Sequence, residues 1–285
     1  MKKNQIAHLL AVLFLAGIGH AAAGSAATVT VAVNQVTHGS ASSANSAPAK
    51  VGTQLSDGEY LKTGAASRAE MELSNQTITR LGANTIFNYS ATTNTVDLQA
   101  GTILFSKPKD AKQMNIKTAA VTAAIVGTTG FVQKQPGGGF LFGLVEGSST
   151  VTIGGVDYTV HGGEVLLFTP PGTPQIFAFD VPRFLKSSGF FTKFHGHLPN
   201  EKYIDEEVAD YNDLVDRGFI TPPKDPFYIY DPNGNVPTVP VVGTDSAGNA
   251  LNNFNTPPPM PKDDCCFYIP SGSGSGFSLS SVHGQ

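Results

Sequence analysis

The segment from Asn115 to Val132, NIKTAAVTAAIVGTTGFV, constrains the fold of this chain more than any other. It contains two apolar runs on either side of a Gly-Thr-Thr-Gly sequence, Gly127 to Gly130, and its only charged residue is Lys117. A segment so apolar between turn-rich regions predicts buried strands folded about that turn. We therefore expect the chain from about Thr28 to Phe168 to pack around it as a β scaffold that carries its function on its surface.

Alternation of apolar and polar residues extends this prediction to the surrounding sequence. Ala69, Met71 and Leu73 alternate with charged residues, which gives a strand one apolar and one charged face. Only 14% of the residues are charged, while the chain has 31 Gly and 19 Pro, as in a loop-rich β protein. The sequence therefore predicts an all-β fold of many short antiparallel strands in a sandwich- or solenoid-like body.

The N-terminus has the pattern of a secretory signal peptide. Lys2 and Lys3 precede an apolar stretch from Ile6 to Ile18, and small residues follow with cleavage expected near Ala23 or Ala27. The thirteen residues of this stretch span roughly 20 Å as a helix, which is short of a bilayer core, so cleavage is favoured over a retained anchor. We expect a periplasmic or secreted protein with no transmembrane helix after cleavage.

The C-terminal third changes character twice. Arg183 to Phe194 is rich in Phe and predicts a short helix or docking segment. Asn200 is a suitable N-cap for a helix that ends near Gly218, with an acidic face opposite an apolar stripe. That stripe is formed by Ile204, Val208, Tyr211 and Val215. Beyond it, Pro- and Gly-rich sequence such as Ser271 to Gly276 cannot support a core.

These patterns divide the chain into four parts. The predicted organisation is a signal peptide at 1–27, a β domain at 28–180, a helical extension packed on the β body at 181–218, and a disordered Pro/Gly-rich tail at 219–285. The tail holds both cysteines, Cys265 and Cys266, whose adjacency disfavours a mutual disulfide and whose spacing does not match a zinc site. The formal net charge of −4 and the absence of a basic stripe exclude a nucleic-acid partner.

Few residues suggest catalytic or metal chemistry. His195, Gly196 and His197, with Glu201 four residues later, form the one metal-like cluster, but Gly196 and the start of a helix favour a loop. His161 precedes two glycines and is expected at an exposed turn. We therefore predict no catalytic residue, no cofactor-binding residue and no metal ligand.

Pairs of carboxylates have an equally plain interpretation. Asp57 with Glu59, and Glu70 with Glu72, would suggest a glycosidase only if they met across a cleft. At positions i and i+2 of a strand they point to the same side, so a solvated face is favoured. Gly137 to Gly139 is expected to be a hairpin tip rather than a phosphate loop, and Asn75 is expected in a turn.

Five segments, in order, resemble the FecR-like domain. The residues Gly52, Leu55, Gly58, Leu61, Thr63 and Gly64 match its opening element. Leu98 to Gly101, Ala123 to Val132, Val145 to Gly147 and Val160 to Val165 match its later elements. The resemblance covers about Val51 to Leu167 and implies a periplasmic β domain involved in protein contact and envelope sensing.

Two features depart from the FecR-like pattern. The Arg that usually precedes the Gly-Thr of the signature is Val126 here, so any contact of that Arg is missing. Only five residues precede the apolar run, so we expect no cytoplasmic anti-sigma segment.

The first functional hypothesis is an exported, non-enzymatic module for protein interaction or envelope signalling. Its partner would be a protein of the cell envelope, bound by the β faces or by the Phe-rich segment and acidic helix. The alternative is a module that binds glycan or cell-wall polymer, with Tyr60, Tyr89 and Tyr158 as stacking platforms. A weaker third hypothesis is a cupin-like metalloenzyme built around His161, His195 and His197.

Overall fold

The computed structural model describes residues 26–40, 45–118, 121–134 and 138–218, and the backbone of residues 241–242. The strands are β1 Ala27–Val33, β2 Val36–Ser40, β3 Ala47–Pro48, β4 Gln54–Leu55, β5 Glu59–Thr63, β6 Arg68–Leu73, β7 Ile78–Leu81, β8 Ile86–Ser90, β9 Thr95–Ser106, β10 Met114–Lys117, β11 Val121–Ile125, β12 Thr129–Lys134, β13 Phe140–Glu146, β14 Ser148–Ile153, β15 Val156–His161, β16 Glu164–Phe168, β17 Gln175–Phe179 and β18 Val241–Val242. The helices are α1 Val181–Ser187, α2 Gly189–Thr192 and α3 Glu201–Asp216.

The strands form two facing sheets. Sheet A has the order β4-β1-β6-β7-β9-β12-β13-β16-β17-β18. Sheet B has the order β3-β2-β5-β8-β9-β10-β11-β14-β15. All of these pairings are antiparallel except β9 with β10. The prediction of an all-β body of short, mainly antiparallel strands is confirmed, and its form is a sandwich.

Strand β9 belongs to both sheets. Its first half pairs with β8 and β10 in sheet B, and its second half pairs with β7 and β12 in sheet A. The change occurs at Gly101, whose φ of +81° is accessible to glycine but costly for other residues. Its Cα also lies so close to Thr85 that a Cβ there would be 2.5 Å from the Thr85 Cα. Gly101 therefore forms the corner of the sandwich.

The segment from Asn115 to Val132 differs from its prediction in one respect. Its first run forms the antiparallel β10–β11 hairpin of sheet B, whereas its second run is β12 of sheet A. Strands β11 and β12 do not pair: β11 pairs with β14, and β12 pairs with β13. The prediction that the two runs fold about Gly127 to Gly130 was wrong, because this sequence carries the chain from one sheet to the other.

Two apolar clusters hold the layers together. The larger lies between the sheets and includes Leu61, Met71, Phe87, Phe105 and Phe142, all at most 1% exposed. The second lies on the outer face of sheet A, where the helices cover it. Its members are Leu104, Phe131, Leu141, Val145, Val165, Phe179, Val181, Phe184, Phe190, Phe194, Leu198 and Ile204. The molecule thus has three layers: sheet B, sheet A and the helices.

The helices follow the sequence signals closely. Asp180 caps α1 by accepting a hydrogen bond from the Arg183 amide, and Pro182 lies in its first turn. Helix α3 starts one residue after Asn200 and is followed by Gly218 at φ +75°, as predicted. The Phe-rich segment forms the two short helices α1 and α2.

Several predictions concern residues that the structure does not describe. The predicted signal peptide before residue 26, Cys265, Cys266 and the predicted tail other than residues 241–242 lie outside the described residues. In the described part of the chain, no helix has the length and apolar character needed to cross a membrane.

We predict that Gly101→Ala lowers the free energy of unfolding by about 2 kcal/mol or more, because it combines a strained φ with an overlap on Thr85. Gly154→Ala is the matched control, since Gly154 also has a positive φ, +57°, but has open space at the Cβ position. Its cost should be about 1 kcal/mol. Urea denaturation measures both, and equal losses would contradict the role of Gly101 as the corner.

Candidate functional site

The outer face of sheet A is covered by residues 181–208, and the residues beneath them are unexpectedly polar. Glu70 of β6 and Arg80 of β7 are only 5% and 2% exposed. The prediction that Glu70 and Glu72 share a solvated face was therefore wrong for Glu70, although Glu72 is exposed. The alternation was correct, but the helical layer covers half of the charged face.

Arg80 is the main polar anchor of this layer. Its Nε donates to the Glu70 Oε2 at 2.7 Å, and its Nη1 and Nη2 donate to the carbonyl oxygens of Phe190 and Gly196 at 2.7 and 2.6 Å. The guanidinium also lies 5.0 Å from the centre of the Phe194 ring. Since a planar guanidinium offers five donors, one side chain can bind both the sheet and the covering segment.

The acid of this pair has a second partner. Thr30 Oγ1 of β1 donates to Glu70 Oε1 at 2.8 Å, so both carboxylate oxygens accept hydrogen bonds. A buried charge is tolerated only when it is paired and hydrogen-bonded in this way. We name Glu70, Arg80 and the two carbonyl oxygens that Arg80 binds the arginine anchor.

Asn200 forms a second anchor at the start of α3. Its Nδ2 donates to the carbonyl oxygen of Lys107 at 2.8 Å and to Oε1 of Glu146 at 2.9 Å. The expectation that its side chain caps α3 was wrong, because it makes no capping hydrogen bond. Glu201 instead accepts from the Leu198 amide at 3.0 Å. The Asn200 side chain thus holds the start of α3 against sheet A.

Two acids meet at this second anchor. Burial raises the pKa of Glu146, which is 1% exposed, although Lys109 Nζ lies 3.5 Å from its Oε2 and opposes the shift. Burial also raises the pKa of Glu207, and the charges of Asp210 and Glu146 add to the increase. Glu207 was expected on the acidic outer face of α3 but is half-buried, and a Cβ at Gly162 would overlap its carboxylate.

A buried lysine organises the neighbouring corner of the sandwich. Lys107 is 0% exposed, and its Nζ donates to the carbonyl oxygens of Pro108, Ala111 and Val126 at 3.0, 2.7 and 2.9 Å. Burial lowers the pKa of Lys107. The Val126 side chain, at the position of the usual FecR-like Arg, is 57% exposed. No sequence signal indicated the burial of Lys107.

The aromatic residues of the covering segment complete the interface. The rings of Phe131 and Phe184 lie 4.8 Å apart between centres, and those of Phe179 and Phe184 lie 5.4 Å apart in an edge-to-face arrangement. Phe191 packs edge-on against Phe184 at 5.7 Å. These rings pack against one another inside the molecule, so the Phe-rich segment presents little exposed apolar surface to a partner.

The histidines do not converge. His197 Nδ1 lies 2.9 Å from Glu201 Oε2, but its side chain is 92% exposed, and His195 is also exposed. His161 is exposed at the end of β15, as predicted. Within the ranges that the structure describes, no three His, Cys, Asp or Glu residues are grouped as metal ligands. The third hypothesis therefore gains no geometric support from the described residues.

The remaining sequence candidates have structural roles. Asp57 accepts from the Ala91 and Thr92 amides and from Thr92 Oγ1, and Glu59 accepts from the Ser56 amide, so both stabilise turns. Asn75 accepts from the Thr77 amide in the predicted turn.

One of the proposed stacking platforms is buried. Tyr89 is 3% exposed and donates to Asn94 Oδ1 at 2.8 Å, so its ring cannot stack on a sugar. Tyr60 and Tyr158 are half-buried. A polar cleft of about 460 Å³ lies beside Tyr89 and is lined by Asn75, Thr92, Asn94 and residues of the 110–113 loop.

The outer face of sheet B is open and polar. The strand register places Asn88, Asp97, Lys117, Thr122, Thr152 and Asp157 in one row across six strands. Each of these side chains is half-buried or exposed. We name this surface the polar face; in contrast to sheet A, no described helix covers it.

The middle of the chain matches a known protein family. A family model described as FecR protein matches residues 59–148. This segment is similar to the FecR family. The resemblance predicted from the sequence is therefore confirmed over β5 to the start of β14. Arg80, Lys107 and Glu146 lie inside the matched segment, whereas Phe190, Gly196 and Asn200, which bind to it, lie outside.

Two solved structures are partly similar to this chain. Both are described as candidate anti-sigma factors from Parabacteroides distasonis, with 16% and 14% sequence identity and a TM-score of 0.40 each. The matches cover 43% of this chain and 60% of the first, and 58% of this chain and 94% of the second. The match to the first thus spans less than two thirds of that protein. No curated protein matches this chain.

The arginine anchor makes a strong prediction. Arg80→Met should lower the free energy of unfolding by about 3–5 kcal/mol, because it leaves Glu70 buried without its counter-charge. The matched control is Lys202→Met, which breaks an exposed ion pair with Glu206 and should cost under about 1 kcal/mol. Urea denaturation gives both values. Limited proteolysis should also cut the 181–200 segment faster in Arg80→Met, and unchanged cleavage would contradict the anchor.

The second anchor predicts a pH dependence. A group whose folded pKa is raised stabilises the fold fully at low pH and loses that contribution as pH rises through the folded pKa. Glu146→Gln keeps an acceptor for Asn200 but cannot ionise. Its stability relative to the unmodified chain should therefore rise between pH 4 and pH 7, as measured by urea denaturation.

A second background tests the cause of this dependence. Lys109 lowers the Glu146 pKa, so the advantage of Glu146→Gln at pH 7 should be larger in a Lys109→Met background. A difference that does not change with pH in either background would contradict the raised pKa.

Proposed function

We propose that this chain is an exported, non-enzymatic protein that acts in envelope signalling by binding another protein through its FecR domain. The observation that carries the proposal is the FecR match at residues 59–148, which supports a signalling or regulatory role. The matched strands include β8 to β11, which contribute Asn88, Asp97, Lys117 and Thr122 to the polar face. The function is thus assigned to a surface rather than to a catalytic centre.

The arrangement of the three layers favours the polar face as the binding surface for a partner. The other broad face of the FecR domain, on sheet A, is already occupied by the chain's own helices through the arginine anchor and the aromatic rings. The polar face offers hydroxyl, amide and charged groups in register, with spacings fixed by the sheet. A protein partner could pair with these groups by hydrogen bonds and opposite charges, as in the polar parts of known interfaces.

Export requires removal of the N-terminal segment, and the fold favours one of the two cleavage positions. Ala26 and Ala27 are 1% and 3% exposed, and the Ala26 amide donates to the Leu55 carbonyl oxygen at 2.8 Å. Cleavage after Ala27 would remove both buried residues, whereas cleavage after Ala23 leaves β1 intact. We therefore place cleavage after Ala23, which N-terminal sequencing of the exported chain would verify by starting at Gly24.

A photocrosslinking experiment in the host tests the binding surface. A photoreactive residue at Lys117, which is exposed in the middle of the polar face, should attach a specific envelope protein that mass spectrometry identifies. The matched control places the same residue at Glu206, which is exposed on α3. Asp57 is a poor position for the probe because its carboxylate stabilises the turn at 90–92. Equal labelling from both positions, or no protein from Lys117, would contradict the proposal.

The polar cleft supports a second candidate function, the binding of a glycan or cell-wall polymer. Its lining of Asn, Thr and Gln side chains beside Tyr89 suits the hydroxyl groups of a glycan or cell-wall polymer. Binding of purified cell-wall polymer that is lost in Thr92→Trp, which would fill the cleft, and retained in Lys117→Glu would favour this alternative. The opposite pattern, with protein capture lost only in Lys117→Glu, would favour the protein partner.

A further inference from the structure

Strand β15 is the longest unpaired edge in the described part of the molecule. The other sheet edges are short: β3 and β4 have two residues each, and β17 is paired with β18. Strand β15 has six residues, Val156–His161, and pairs through β14 alone. Because an unpaired edge presents backbone N–H and C=O groups to any second strand, it is a natural position for strand addition.

The register determines which residues offer these groups. Gly154 and Gly155 form a two-residue turn with φ of +57° and +83°, and Ile153 pairs with Val156 at its base. Backbone groups alternate between the two sides of an antiparallel strand, so those of Asp157, Thr159 and His161 point away from β14. The His161 amide already donates to Glu164 Oε2 at 2.8 Å. No hydrogen bond within the described residues uses the Asp157 or Thr159 backbone groups on this side.

We propose that two copies of this chain pair antiparallel through their β15 strands, with Thr159 of one copy opposite Thr159 of the other. Such a contact is isologous, since the same strand serves both sides of a two-fold axis. Pairing centred on Thr159 aligns the three outward residues of each copy, with the backbone groups of Asp157 and Thr159 and the His161 carbonyl oxygen in the ladder while the His161 amide stays bound to Glu164. It joins the two B sheets and extends the rows of the polar face across both copies. The inference is independent of the identity of any other protein partner.

Charge complementarity selects this register and this occupant. With Thr159 on the axis, Asp157 of each copy lies opposite His161 of the other, and both side chains are exposed. Shifting the axis to residue 157 would place two aspartates opposite each other, which is unfavourable. Among the described residues, Asp157 accepts a hydrogen bond from Thr152 Oγ1 at Oδ1 alone, so its Oδ2 is available to an imidazole. The edge is therefore complementary to itself.

Disulfide trapping tests the register directly. In residues 24–285 with Cys265→Ser and Cys266→Ser, Thr159→Cys should give a covalent dimer on mild oxidation. Residues opposite each other in a hydrogen-bonded pair have Cα atoms about 5.5 Å apart, within the range for a disulfide. The matched control is Asp157→Cys, whose two copies would be about 14 Å apart. Dimer from Thr159→Cys but not from Asp157→Cys is the expected result.

A charge exchange tests the same pairing without a covalent bond. Sedimentation equilibrium should show a concentration-dependent dimer of the purified chain. His161→Asp, which places Asp opposite Asp, should weaken the dimer roughly tenfold. Asp157→His combined with His161→Asp restores opposite groups and should return the dissociation constant to near its original value. Rescue by the double variant is a readout that general destabilisation of the fold would not produce.

The failing outcomes are equally specific. A monomer at every concentration would overturn the proposal, as would equal disulfide formation at positions 157 and 159. Crosslinks from position 159 to a different protein in the host, with no copy-to-copy product, would assign the edge to that partner and also overturn it. Because these measurements use the purified chain or map position 159, their failure is distinguishable from a failure of the Lys117 crosslink.

Discussion

The buried contact between Arg80 and Glu70 is the interaction on which the three-layer arrangement depends. Two opposite charges are removed from water at the centre of the outer face of sheet A. Their desolvation is offset only because Thr30 binds the acid and two carbonyl oxygens of the covering segment bind the guanidinium. The sandwich and its helical layer are thus tied by directional contacts, while the aromatic rings around them contribute apolar burial without direction.

This contact also explains why the outer faces of the two sheets differ. On sheet A, the covering segment binds Arg80 and buries it together with Glu70. On sheet B, groups of similar chemistry, such as Asp97 and Lys117, face solvent in register. Strand β9 joins the two surfaces, since its halves lie in different sheets. A partner on the polar face would therefore contact a strand that also forms part of the covered sheet.

The strands could be predicted from the sequence because a half-buried sheet imposes a period of two on its residues. The burial of Arg80 and Glu70 could not, since it depends on backbone carbonyl groups more than a hundred positions away in the chain. The same limit applies to Asn200, whose position at a helix start was correct while its side chain binds Lys107 and Glu146 instead.

The Gly-Thr-Thr-Gly sequence could not be interpreted from the sequence for a different reason. Gly127 to Gly130 has the composition of a hairpin turn, and the same composition also serves a crossing between sheets. Nothing local separates the two, because both need a short segment without bulky side chains. Only the pairing of β11 with β14, a long-range contact, decides between them.

The distance in sequence between the parts of the arginine anchor has a consequence for biosynthesis. Arg80 cannot complete its hydrogen bonds until Phe190 and Gly196, which lie 110 and 116 residues later in the chain, have been synthesised. Until then the unfinished sandwich exposes a charged pair at the middle of sheet A, surrounded by apolar residues that also lack their cover. Charged groups on such an exposed surface favour its hydration, and exposed charges disfavour pairing with other chains.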